Sequence, residues 1–130
     1  MQNFRDLRVW QEAHQLTLGV YQVTHAFPRE ELFGLSSQLR RAAVSIASNI
    51  AEGCGRSGSR DLRRFLDIAM GSACETEYQL LLSFDLNYLD QAGYQRLDSA
   101  VINVKRMLTG FIYKLRSQDS ESDQHNSDNG

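Results

Sequence analysis

Apolar positions recur along this chain at alternating spacings of four and three, in four separate runs. Val9, Ala13, Leu16, Val20, Val23 and Phe27 form the first, and Leu39, Ala43, Ile46, Ile50 and Gly53 the second. Leu62, Leu66, Ala69, Ala73, Thr76 and Leu80 form the third, and Leu97, Val101, Val104, Leu108, Phe111 and Leu115 the fourth. That period puts each run on one face of an α-helix. It predicts helices over about residues 6–25, 34–53 and 91–116, with Asp6 as N-cap of the first. The third helix starts after Ser57 or Ser59, either of which can cap it, and runs to about Tyr88.

The breaks between the runs agree with this. Pro28, the only proline, disfavours helical geometry at Phe27 and ends the first segment. Residues 29–33 read as a short turn leading to Gly34, and residues 89–93 as the turn between the last two helices. Sustained period-two alternation, the mark of strands, is absent. Short connections between four long amphipathic segments make sequential neighbours antiparallel. The predicted fold is therefore all-α, an antiparallel up-down-up-down four-helix bundle over residues 1–117. Residues 118–130 contain no apolar side chain and are predicted to be a disordered, acidic C-terminal tail.

The helices differ in width. In the second, Ala42, Ser45, Ala47, Ser48 and Ala51 give an unusually small-sided flank that lets a neighbour approach closely. The first and third carry more apolar surface than a bundle interior consumes. Trp10, Tyr21 and Tyr78 are candidate subunit-interface residues, since aromatics are enriched at interfaces. A homo-oligomer is the expected state.

Charge adds an asymmetry. All 14 Lys and Arg precede residue 118, against 12 of the 16 acids, so the body is +2. Asp119, Glu121, Asp123 and Asp128 make the tail −4. Twelve of the bases are Arg, the residue suited to bidentate phosphate or carboxylate contacts. Two cysteines are too few for a disulfide framework, and a reduced, cytoplasmic setting is expected. The N-terminus has no apolar core of a signal peptide, and no stretch approaches a membrane span.

Candidate chemistry is sparse. Residues 53–58, GCGRSG, match the letters of the dinucleotide fingerprint. The fingerprint needs a strand before it, and here a helix precedes it. The residues read instead as a helix-ending turn with glycine supplying positive φ. The following helix start offers free amides and a positive dipole end, ringed by Arg56, Arg60, Arg63 and Arg64. These four are the main candidate phosphate contacts, and Arg40 and Arg41 are weaker ones. The plain alternative is a solvated helix end laced by ion pairs, Glu52 with Arg56 and Asp67 with Arg63 or Arg64. His14, His25 and His125 lack metal-ligand spacing, so no metal or cofactor is expected. Glu75 falls on the line of Ile68, Ser72, Gln79 and Leu82 and is expected to be a partly buried structural acid. No catalytic residue is identified, and the chain is not expected to be an enzyme.

Several segments occur together in one known group. They are Asp6-Leu7, Val9-Trp10-Gln11, Phe27-Pro28, residues 31–35 (ELFGL), residues 38–43 (QLRRAA), residues 49–53 (NIAEG), Arg64-Phe65-Leu66 and Gly71-Ser72. Over residues 4–115 the chain resembles the four-helix-bundle proteins encoded within intervening sequences of bacterial 23S ribosomal RNA genes. The resemblance extends to a superfamily that includes the accessory variability determinant of diversity-generating retroelements, a barrel-like pentamer that binds nucleic acid and a reverse transcriptase. The resemblance implies a pentameric ring without enzymatic activity. Any RNA or DNA binding would go through the phosphate backbone, since no base-reading motif is visible. The rival expectation is a protein-interaction scaffold that docks a partner such as a reverse transcriptase without touching nucleic acid.

Overall fold

A computed structural model describes residues 2–129, and side chains through residue 124. Four helices account for most of it: α1 (Arg8–Thr24), α2 (Leu35–Cys54), α3 (Ser59–Asp85) and α4 (Gln91–Asn129). Two 3-10 turns, Phe4–Asp6 and Arg29–Glu31, precede α1 and α2, and no strand occurs among the described residues. Each helix packs on its neighbours in the order α1–α2–α3–α4 and back to α1. This is the up-down-up-down bundle predicted from the apolar periods.

The core is the set of residues those periods pick out. Leu39, Ala43, Ile46 and Ile50 from α2, Leu66, Ala69 and Ala73 from α3, and Val101, Val104 and Leu108 from α4 are fully buried. In α4 the buried line runs on through Ile112 to Leu115, and Phe111 is only partly buried. A strict heptad drifts around a straight helix by ~20° per repeat, so the core-facing position slips by one residue at this depth. Buried hydroxyls bond back to their own helix: Thr17 Oγ1 to the Ala13 carbonyl, Thr24 Oγ1 to Val20, and Ser83 Oγ to Gln79.

Helix ends depart from the expectation in four places. Asp6 lies in the first 3-10 turn, and extended Leu7 stands at the N-cap of α1. The 3-10 turn is instead capped by Asn3, whose side chain accepts from the Arg5 amide. At α3 the N-cap is Gly58, with no side-chain bond, and the Ser59 hydroxyl inside the first turn donates to Asp119. No described glycine has positive φ; Gly55 sits at −82° and Gly58 at −134°, so the 53–58 turn needs no left-handed residue. The left-handed position belongs to Asn87, at φ 65°.

Asn87 ends α3 three residues short of Tyr88. Its amide donates to the Phe84 carbonyl and the Tyr88 amide to Ser83, both at 2.9 Å, which is the two-bond closure of a Schellman motif. Asp90 Oδ1 then accepts from the Gly93 amide at 2.7 Å and caps α4.

The residues expected as an acidic tail carry α4 on through Asn129. Asp119 and Asp123 lie one helical turn apart and both face the start of α3.

Candidate nucleic-acid interface

The antiparallel order brings the end of α2, the start of α3 and the far part of α4 to one end of the bundle. The N-terminus joins them, with the Gln2 amide donating to the Cys54 carbonyl at 3.1 Å. This end holds Arg56, Arg60, Arg63 and Arg64. On the α2 side, Phe65 is the anchor: the guanidinium carbons of Arg56 and Arg64 lie 5.0 and 4.5 Å from its ring centroid. Asp61 bridges the two, 2.9 Å from Arg64 and 3.8 Å from Arg56. Glu52 takes the other side of Arg56 at 3.0 Å, the i,i+4 pair the sequence suggests.

On the α4 side, Arg60 meets Asp123 at 2.9 Å and Arg63 meets Asp119 at 3.3 Å. Asp67, the expected partner of Arg63 or Arg64, forms no ion pair among the described residues; closer acids occupy both. The four arginines are thus brought to one end of the bundle and each meets a carboxylate. Glu52, Asp61, Asp119 and Asp123 balance them one for one. Arg60 and Arg64 point into solvent, whereas Arg63 is largely enclosed.

Arg40 and Arg41 do not join this surface. They stand near the other end of α2, about 20 Å away at ~1.5 Å rise per residue. Arg40 Nε donates to Thr24 Oγ1 at 2.7 Å, and its guanidinium lies 4.9 Å from the Tyr21 ring centroid. It serves to hold α1 against α2, while Arg41 is exposed.

The candidate interface aromatics also separate. Trp10 is half-buried, stacked on His14 at 5.0 Å and edge-on to Phe4 at 4.9 Å, so its ring is used within the subunit. Tyr21 and Tyr78 are open to solvent. The sequence pattern passed over Phe33, the most exposed large apolar side chain among the described residues, at 93% accessible. With Leu32, Tyr21 and Val44 it lines a groove of about 670 Å³ over α1 and α2, together with Arg40, Arg41 and Ser45. Phe33 lies in a turn outside any helical period; an aromatic stranded between Pro28 and Gly34 was the available signal.

Elsewhere, polar groups serve the frame. Lys105 Nζ meets Glu77 at 2.6 Å between α3 and α4, and that bond pushes the lysine up from its ordinary value. Burial, then the Glu77 charge, pushes the Asp98 carboxyl up. Burial and a bond from its phenol to Glu31 at 3.1 Å raise Tyr88. Glu75 is exposed rather than partly buried, and accepts from Gln79 Nε2 at 3.1 Å. Among the described residues no group of three or more His, Cys, Asp or Glu is placed to hold a metal ion, and no helix is long and apolar enough to cross a membrane.

Four antiparallel helices with a charge-balanced arginine end define a small helical-bundle protein. Residues 5–110 match the family described as 23S rRNA-intervening sequence protein, and the chain belongs to that family. A solved structure with the same fold is a protein of unknown function from the S23 ribosomal protein family of Bacteroides thetaiotaomicron. It is 24% identical, with a TM-score of 0.75 over 80% of this chain and 97% of that one. No curated protein matches the chain.

Proposed function

We propose that the protein is a non-catalytic, cytoplasmic homo-oligomer, a pentamer, that binds RNA or another nucleic acid through its phosphates. The observation that carries this reading is the convergence of Arg56, Arg60, Arg63 and Arg64 on one end of the bundle, with Arg60 and Arg64 accessible. A single subunit's cluster is balanced by acids and is a weak site. Five copies on one ring raise the effective concentration of the second and later contacts, so avidity offsets the modest charge of each. The open apolar side chains Tyr21, Phe33 and Tyr78 supply surface for assembly.

RNA gel shift across a salt series tests the binding half. Wild type should shift RNA at low salt and lose affinity steeply as salt rises, and Arg60→Ala/Arg64→Ala should weaken binding and flatten the salt slope. Salt-insensitive binding sinks it, and so does absent binding that Asp119→Asn/Asp123→Asn does not restore. Light scattering on a sizing column tests the other half, with five times the 14.8 kDa chain mass as the expected result.

A second reading is favoured by the Phe33 groove. There the bundle is a docking platform for another protein, such as a reverse transcriptase, and nucleic acid plays no part. Retained partner binding in the Arg60→Ala/Arg64→Ala variant, with no RNA shift in wild type, is its signature.

A further inference from the structure

Two carboxylates from the far part of α4 sit where phosphate oxygens would have to sit. Asp123 Oδ2 is 2.9 Å from Arg60, and Asp119 Oδ2 is 3.3 Å from Arg63 Nε. The other Asp119 oxygen accepts the Ser59 hydroxyl at the first turn of α3. Two guanidinium groups and a hydroxyl on a helix's first turn are the partners a phosphodiester takes.

These contacts are suited to exchange. Arg60–Asp123 is open to water, so it is worth little and is screened by salt. Arg63–Asp119 is the most enclosed ion pair among the described residues, with side chains 25% and 18% accessible. Yet Arg63 Nε and Asp119 Oδ2 make no well-directed hydrogen bond. A pair withdrawn from water without that bond recovers little of its desolvation cost. No apolar side chain follows Leu115, so nothing greasy fastens this part of α4 to the bundle.

We infer that α4 beyond Leu115 is a built-in competitor for nucleic-acid phosphate, occupying Arg60 and Arg63 through Asp123 and Asp119 until a polyanion displaces it. The inference rests on the phosphate-binding reading and adds its regulation: the closed segment sets a threshold that only a multivalent anion crosses. One phosphate competes against two tethered carboxylates, whereas a strand presents many at once.

The test is fluorescence anisotropy of a labelled single-stranded RNA with the full-length chain at low salt. Asp119→Asn/Asp123→Asn should bind about 3- to 10-fold more tightly than wild type, the equivalent of two weak ion pairs. Glu121→Gln removes a charge from the same segment without touching either pair, and should change affinity less than about twofold. In parallel, amide hydrogen exchange across residues 117–124 of wild type should speed up on saturation with RNA, as the segment leaves α3. The competitor is overturned if RNA binding is salt-dependent and Arg60-dependent but the double variant binds no tighter. It is equally overturned if Glu121→Gln matches the double variant, or if exchange in the segment is unchanged or slowed by RNA. If neither wild type nor the double variant binds RNA, the phosphate reading itself falls and the competitor with it. Binding by the double variant alone supports both.

Discussion

Gly53 and Phe65 meet at a distance that admits no side chain on the glycine: a Cβ there would lie 2.9 Å from the Phe65 Cβ and 2.9 Å from Leu62 Cδ1. The leucine tip can swing away, but the Phe65 Cβ is fixed to the α3 backbone. The close crossing also fixes the ring under Arg56 and Arg64. Gly53→Ala should therefore destabilise the protein by ~1–3 kcal/mol, the usual cost of overpacking. Urea unfolding measures it. Gly71→Ala is the counter-case, because nothing lies within 4 Å of its added methyl in the middle of α3. It should stabilise by ~0.5–1 kcal/mol through helix propensity. Equal effects of the two would show that the crossing is not tight.

Phe33 gives the assembly proposal a sharp handle. It touches little within its own subunit, so replacing it costs the fold almost nothing. Phe33→Glu should leave the circular dichroism spectrum and monomer helicity unchanged while lowering the mass seen by light scattering. A variant that keeps the wild-type mass would remove this patch from the interface and leave Tyr78 as the candidate.

Much of this was legible in the chain's periodicity. Leu39, Ala43, Ile46 and Ile50 were picked out by spacing alone and are all fully buried. The Glu52–Arg56 pair was equally visible, since i,i+4 neighbours are fixed by the helix itself. What escaped depends on contacts distant in sequence. Asp119 lies 60 residues from Ser59, and no local rule could name that serine as its partner rather than as a cap for α3. Arg40 looked like a free cation until α1 brought Thr24 and Tyr21 beside it. Spacing put Gly53 on the inner face of the second helix, but not the closeness of α3 that excludes a side chain there.

The two thiols should differ in reactivity. Cys54 is buried at the end of α2, and burial pushes its thiol above the ordinary value, so little thiolate is present. Cys74 is exposed on α3. An aromatic disulfide reagent should titrate one thiol per chain rapidly in the native protein and the second only on unfolding. Cys74→Ser should abolish the fast phase, and a persisting fast phase would place Cys54 at the surface.

Asp98 tests the electrostatics of the α3–α4 seam. Burial first, and then the Glu77 charge, raise its carboxyl above 3.8, against the pull of Lys105. A carboxyl that holds its proton more tightly folded than unfolded loses stability when it ionises. The loss is absent below the unfolded value, grows as pH rises toward the folded one, and is complete above it. Asp98→Asn should therefore raise Tm at pH 7, by about 1–2 °C for a partly exposed group. The gain should vanish near pH 3, where the native aspartic acid is already neutral. In a Glu77→Gln background the gain should shrink without disappearing, because burial is the larger cause. A stabilisation that is the same at pH 3 and pH 7 would show that the substitution acts through packing rather than through charge.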